Sequence, residues 1–208
     1  MFDELVKFFV VLLVVVEPLS LLPVLAGLTD RAGDAWRRRM AWKAAGLSAA
    51  VCLVFAVGGT ALLEILGISV DAFKVGGGIL LFLLAIEMVF ARPSGARSIT
   101  PGEDAEAHQR ADISVFPLAF PLIAGPGALA TILLAFVGVP IGSLQFLAQI
   151  GVIVLVLAIT LALMLVTGPV MRVIGVTGGA VMGRLLGVLL AALASQFVMD
   201  GIRGAMGA

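Results

Sequence analysis

The stretch Glu17-Pro18-Leu19-Ser20-Leu21-Leu22-Pro23 lies in the middle of an apolar run that extends from about residue 5 to residue 28. A run of this length can cross a bilayer as a helix, yet its centre carries a carboxylate and two prolines. Proline removes a backbone donor and clashes with the preceding turn, so the prolines predict a break in the helix. In hydrocarbon, the carbonyl groups that a break frees must find partners in protein or water. The stretch therefore predicts a broken helix near the middle of the membrane.

The composition places the rest of the chain in the membrane as well. Of the 208 residues, 62% are hydrophobic and 12% are charged, whereas a soluble domain has roughly 25% charged residues. Six apolar runs reach the roughly 20 residues that a spanning helix needs. They cover about residues 5–28, 43–66, 72–91, 113–137, 144–167 and 178–202. We therefore predict an all-α membrane protein with six transmembrane helices.

A second interrupted run occurs in the other half of the chain. Both Pro18–Pro23 and Pro121–Pro126 read Pro-Leu-x-x-x-Pro, and each lies in the middle of an apolar run. Two broken helices at corresponding positions of two halves are the sequence feature that points to the binding site of a secondary transporter. The alternative is that each pair of prolines only bends a helix for packing.

Two further segments follow these breaks in the same order in both halves. Residues 67–72 align with 175–180, and residues 78–81 align with 187–190. Each copy would contain three spans, so the second copy would enter the membrane upside down, as in inverted-repeat transporters. We predict a first repeat at residues 1–91, a linker loop at 92–112 and an inverted second repeat at 113–208, with helices 1 and 4 broken near mid-membrane.

The broken helices can bind a small solute through their backbone. A helix N-terminus offers free N–H groups and a C-terminus offers free carbonyl groups, and a zwitterion needs both. The glycines at the second break would let the backbone approach a ligand closely. The predicted substrate site comprises Glu17, Pro18, Ser20, Leu21 and Pro23 at the first break and Pro121, Ile123, Ala124, Gly125, Gly127 and Thr131 at the second.

Glu17 is the charged residue of this site, and three roles are open to it. A carboxylate inside a membrane span is a functional hypothesis by default. It could pair with the ammonium group of a substrate or carry a coupling proton. It could also hold the break in shape by bonding unwound backbone.

Other function classes lack support in the sequence. The formal net charge is zero, so nothing indicates a nucleic-acid partner. Cys52 is the one cysteine, so no intrachain disulfide and no cysteine cluster for a metal can form. No zinc-protease or nucleophile-elbow motif lies in the spans. We expect no catalytic residues, no metal and no cofactor.

The distribution of basic residues predicts the orientation in the membrane. One side would hold nine lysines and arginines and the other three, and the richer side is expected to face the cytoplasm. The richer side includes a presumed loop after span 1, with Arg37, Arg38, Arg39 and both tryptophans, and the 92–112 linker. This distribution predicts that both termini lie outside and that the 92–112 linker lies in the cytoplasm.

Three segments resemble the MarC family of bacterial and archaeal inner-membrane proteins. They are Glu17-Pro18-Leu19…Pro23, Phe73-Lys74-Val75-Gly76-Gly77-Gly78-Ile79-Leu80-Leu81-Phe82 and Pro117-Leu118-Ala119-Phe120-Pro121-Leu122-Ile123-Ala124-Gly125-Pro126-Gly127-Ala128. The resemblance implies six spans and transport of small neutral amino acids such as alanine and glycine. The first motif of the family usually reads Asp-Pro-Leu-Gly-Asn-x-Pro, and here Glu17, Ser20 and Leu21 replace the Asp, Gly and Asn.

The sequence therefore predicts a secondary transporter of small neutral amino acids that works by alternating access. Its partners would be a small-molecule substrate, the lipid bilayer and a coupling ion, H⁺ or Na⁺; assembly as a homo-oligomer is left open. The alternatives are an exporter or channel for another small polar solute, or a membrane protein that transports nothing.

Overall fold

The computed structural model describes residues 2–28, 33–90 and 112–207, and every regular element in this part of the chain is helical. The helices, in chain order, are α1 (Phe2–Val16), α2 (Pro18–Leu28), α3 (Asp34–Ile65), α4 (Val70–Phe90), α5 (Ser114–Ile123), α6 (Pro126–Phe136), α7 (Leu144–Leu165) and α8 (Thr167–Met206).

Five of these stretches are long and apolar enough to cross a membrane, and the bent pair α5–α6 can form a sixth span. This confirms the all-α, multi-pass membrane fold. The interrupted first span, Phe2–Pro23, is the centre of the bundle, because 56% of its most apolar window is buried, against 39% or less in the other four unbent spans. The interrupted stretch around Glu17 thus lies in the core of the protein.

Two predicted loops are helical. The basic segment before residue 43 forms the first turns of α3, which begins at Asp34, and the segment 168–177 forms the start of α8. Outside hydrocarbon a helix can continue wherever its residues favour it, since water satisfies its exposed groups. Pro169 is tolerated because it falls within the first turn of α8, where a missing N–H removes no helical bond.

Each half of the chain contains a broken pair of helices followed by two long helices. Neighbours correspond across the halves: α2 packs on α7 and α8, while α6 packs on α3 and α4. The inverted relation between the halves stays a prediction. So does the linker, because residues 91–111 lie outside the described part of the chain.

The last helices of the two halves, α4 and α8, pack along each other more extensively than any other described pair. Glycines let their backbones approach, as small residues do in membrane interfaces. A side-chain carbon at Gly78 would meet Val198 at 2.8 Å, and one at Gly187 would meet Met88 at 2.8 Å. Gly77 faces Ala130 of α6 instead. Gly77 and Gly78 thus let α4 pack closely on two different helices, α6 and α8.

Candidate functional site

The second break bends its span by 56° between α5 and α6. Helix α5 is a wide, π-type helix that Phe116 and Phe120 interrupt with extended backbone angles. Each of these residues precedes a proline, and the proline ring disfavours the helical conformation of the residue before it. Both Phe-Pro bonds, at Pro117 and Pro121, are cis. The prolines thus set the shape of this half of the span.

Gly125 joins α5 to α6 at the bend. A side-chain carbon at this position would fall against the carbonyl oxygen of Pro121, so only glycine fits without a shift of backbone. The N–H of Ala124 closes α5 by donating to the Ala119 carbonyl at 2.9 Å. The predicted break is therefore present, and it lies at Ala124 and Gly125.

Helix α6 directs its first backbone groups into the break. Pro126 occupies its first position, where a missing N–H costs no helical bond. The first N–H of the regular helical pattern is that of Leu129, which donates to the Gly125 carbonyl at 3.0 Å. The N–H groups of Gly127 and Ala128 precede it and are two of the donors that every helix start leaves without a helical partner.

A cavity of about 150 Å³ lies at this helix start. Its walls come from three sources: the second break, Leu80 and Leu84 of α4, and Val15 in the last turn of α1. A side-chain carbon at Gly127 would lie 3.1 Å from Val15, which shows how closely the two broken spans approach here. The cavity thus combines helix-start donors with apolar walls.

The first break is a single residue, Glu17, whose φ of 46° is left-handed. Its N–H donates to Leu13 at the end of α1, and its carbonyl accepts from Ser20 at the start of α2. Pro18 follows at the first position of α2 and has no N–H to offer the Val14 carbonyl. The predicted break in this span is thus present at Glu17, and Pro23 adds no second one, because α2 continues through it as a helix to Leu28.

The Glu17 side chain is buried and points towards α8. Its Oε1 would lie 2.6 Å from a side-chain carbon at Gly183, and Ser20 Oγ lies 3.8 Å from the same point. A second cavity, of about 280 Å³, lies beside Glu17, and its surface is almost entirely apolar. It is lined by Leu13, Val14, Glu17, Pro18, Leu19, Ile159, Leu163, Met182, Gly183 and Leu186.

The structure divides the predicted site residues between these two cavities. Pro121, Ile123, Gly125 and Gly127 line the cavity at the second break, whereas Glu17 and Pro18 line the other. The remaining residues line neither: Ser20, Leu21, Pro23, Ala124 and Thr131. Of these, Thr131 supports the second break, because its hydroxyl donates to the Gly127 carbonyl at 2.8 Å. The end of α1 stands between the cavities, with Val15 on one side and Val14 and Glu17 on the other.

Sequence reasoning did not single out Ser48, Val15, Leu84 or Gly183. The hydroxyl of Ser48, fully buried in α3, donates to the Ala44 carbonyl at 2.8 Å and reaches the Ala119 carbonyl of α5 at 3.4 Å. A serine inside an apolar span was a readable signal. The two apolar side chains and the glycine gave none, because nothing distinguishes them from their neighbours in the sequence.

An ion pair fixes the start of α5 at the edge of the membrane domain. Lys43 of α3 donates to the carboxylate of Asp112, which also accepts from the N–H and hydroxyl of Ser114. These hydrogen bonds, with that from Lys43 the largest cause, hold the pKa of Asp112 well below its ordinary value. The starts of α3 and α5 therefore lie on the same side of the bundle.

These features define a class: a multi-pass α-helical membrane protein with one sharply broken span and small cavities at its helix breaks. The family model described as "MarC family integral membrane protein" matches residues 2–206. The chain therefore belongs to the MarC family.

Its relatives extend along almost the whole chain. The UPF0056 membrane protein MJ1677 of Methanocaldococcus jannaschii is 35% identical and covers 92% of both chains. The UPF0056 membrane protein YvbG of Bacillus subtilis is 33% identical, over 98% of this chain and 96% of its own. The UPF0056 inner membrane protein YhgN of Escherichia coli is 32% identical over 97% of both. No solved structure matches the chain.

Proposed function

We propose that this protein is a secondary transporter of small neutral amino acids, and that the cavity at the second break is its substrate site. The observation that carries the proposal is the start of α6, where Gly127 and Ala128, the residues of its free helix-start N–H groups, line a cavity between two broken spans. Backbone donors at a helix start bind carboxylates without a basic side chain. The last turn of α1, at Val15, supplies the opposite helix end, which favours an ammonium group.

The dimensions and lining of the cavity support a small substrate. A volume of about 150 Å³ holds several water molecules, and its remaining walls are Leu80, Leu84 and Val15. A short apolar side chain on a zwitterion suits such walls, whereas a charged side chain would find no partner there. Alanine and glycine are the simplest solutes of this kind. The termini would face outside, as the basic residues predict.

The first test is stabilisation of the purified protein by candidate solutes. A ligand at 100 times its Kd raises the free energy of unfolding by about 2.7 kcal/mol, so a thermal screen over amino acids and other polar solutes finds the substrate class. We expect alanine and glycine to stabilise the protein and to enter proteoliposomes when labelled. Stabilisation by another polar solute alone would favour an exporter or channel instead.

A matched pair of variants locates the site. Gly127→Ala adds a methyl group within 3.1–3.3 Å of Val15, Leu81 and Leu84, so it narrows the cavity at the second break and should reduce the stabilisation by alanine. Glu17→Gln replaces the carboxyl group beside the other cavity with an amide of almost the same shape and should leave that stabilisation unchanged. Full stabilisation of Gly127→Ala, with loss in Glu17→Gln, would move the substrate to the Glu17 cavity.

A further inference from the structure

Helix α4 and the part of α8 from Val181 to Met206, here called the α4–α8 pair, pack as one antiparallel unit. Contacts run along its length: Gly187 faces Met88, Gly78 faces Val198, and Gly201 faces Val75, each with only 2.8 Å between the neighbour and the position of an added side-chain carbon. Such backbone-close packing leaves no room for sliding or separation without loss of many contacts at once.

The surface along which the pair meets the rest of the bundle, here called the seam, is less extensive than the contact within the pair. Across the seam, α4 contacts α6, and α8 contacts mainly α1 and α2. Both cavities lie on the seam. Leu80 and Leu84 of α4 form one wall of the cavity at the second break. Met182, Gly183 and Leu186 of α8 form one wall of the Glu17 cavity.

Two helix ends lie on the chain connections between the pair and the described part of the bundle. Gly67, with a left-handed φ of 67°, lies in the turn between α3 and α4. Val166 separates α7 from α8, and residues 167–180 of α8 lie between Val166 and the pair. Hinge motions are absorbed by a few residues at the ends of helices, and these are two such places.

We propose that the α4–α8 pair moves as a rigid unit against the other helices, and that this movement opens and closes the two cavities on the seam. The inference rests on the proposed transport function only in what the motion is for. The motion itself can be measured with no substrate. Because each cavity has one wall on the pair and the others on the bundle, a tilt of the pair changes both cavities together.

Distances between spin labels test the motion directly. In a Cys52→Ser background, labels at Phe82→Cys and Leu189→Cys lie within the pair, and labels at Phe82→Cys and Leu155→Cys span the seam; all three positions are exposed. Within the pair we expect one narrow distance in liposomes. Across the seam we expect two populations that differ by about 5 Å, the size of a one-turn shift. The proposal is overturned if the labels across the seam show one distance as narrow as that within the pair, or if the labels within the pair show a broad distance distribution.

Disulfide bonds then connect the motion to transport. A side-chain carbon at Gly77 would lie 3.5 Å from Cβ of Ala130, within the range of a disulfide, so oxidised Gly77→Cys/Ala130→Cys locks the seam. Asp71→Cys/Gly204→Cys is the control, because it joins residues in contact inside the pair. We expect the Gly77–Ala130 disulfide to abolish alanine uptake and to leave only one label distance across the seam, and reduction to restore both the uptake and the second distance. The control disulfide should preserve alanine uptake and both distances. Full uptake in the locked protein would contradict the proposal. Absence of uptake in the unmodified protein rejects the transport function, while the label distances still decide the motion.

Discussion

The two broken spans carry the same Pro-Leu-x-x-x-Pro pattern and reach different structures. The first breaks at one residue, Glu17, before the first proline of the pattern. The second breaks at Ala124 and Gly125, before the last proline, and bends by 56°. Pro18 and Pro126 each begin a new helix, whereas Pro23 lies inside α2 and Pro121 inside α5. The breaks are thus offset by the length of the pattern.

The surrounding residues explain this difference. Two additional features crowd the second span: another proline, Pro117, one turn earlier, and Gly125 next to the last proline. Because Phe116 and Phe120 must both leave the helical conformation, α5 is already distorted before the break. The first span has neither feature, so a single left-handed residue is enough to redirect the chain. A proline pattern therefore fixes that a break occurs, and its neighbours fix where.

The largest expected effect is at the second break. Gly125→Ala would drive a methyl group against the Pro121 carbonyl, and the backbone must move to accept it. We expect a loss of about 3 kcal/mol in the free energy of unfolding, measured by chemical unfolding in detergent. Gly58→Ala is the control, because no atom lies within 4 Å of its added carbon. Equal stability of the two variants would show that the second break is as adaptable as the first.

The next effect concerns the first break. A left-handed residue other than glycine costs about 1–2 kcal/mol, so Glu17→Gly should be more stable than Glu17→Ala by about that amount. Both variants remove the carboxylate, so their difference isolates the backbone angle. Unfolding in detergent measures both. If the two variants unfold together, the angle at residue 17 does not hold the first break.

A smaller effect tests the contact that supports the second break from α3. Ser48→Ala removes a hydroxyl that reaches both Ala44 and Ala119, and we expect a loss of about 1 kcal/mol. Ser195→Ala is the matched control, because Ser195 bonds only within its own helix, to the Ala191 carbonyl. If Ser195→Ala lost as much free energy of unfolding as Ser48→Ala, the contact between α3 and α5 would contribute nothing to stability.

The smallest effect concerns the ion pair at the start of the second span. Lys43→Met should cost at most about 0.5 kcal/mol, because both side chains are about 40% exposed and exposed pairs contribute little. The pKa of Asp112 is lowered in the folded protein, so the contribution is complete above the unfolded value of about 3.9 and is lost as the pH falls towards the folded value. The difference between wild type and variant should therefore shrink from pH 6 to pH 2. It should also shrink in high salt.

The fold class could be predicted from the sequence because many residues contribute to each of the features that indicate it. Apolar runs long enough to span, interrupted by prolines, leave few alternatives in hydrocarbon, where every backbone group needs a partner. The sequence predicts loops at the start of α3 and at the start of α8, because basic residues, or a glycine beside a proline, often mark the end of a helix. Helix continuation outside the membrane depends on local packing, which composition does not reveal.

The site was less accessible to prediction for a different reason. Its backbone elements could be located, since Gly125 and Pro126 mark the break directly. Its walls could not, because Val15 and Leu84 are apolar residues among many others. The direction of Glu17 also depends on Gly183, more than 160 residues away along the chain. Only the packing of α1 against α6 and α8 decides which cavity each residue lines.

The length of α3 has a consequence for where the second break sits. Its 32 residues make a rod of about 48 Å at 1.5 Å per residue, while the hydrocarbon core is only about 30 Å thick. One end of this rod, with Trp36, Arg37 and Arg38, must therefore reach into the headgroups. Helix α3 also contacts the second broken span, through Lys43 at the start of α5 and through Ser48 at Ala119. The position of α3 relative to the lipid surface therefore sets the depth of the second break in the membrane. A thinner or thicker bilayer would shift the rod and, with it, the level at which Gly125 meets the membrane.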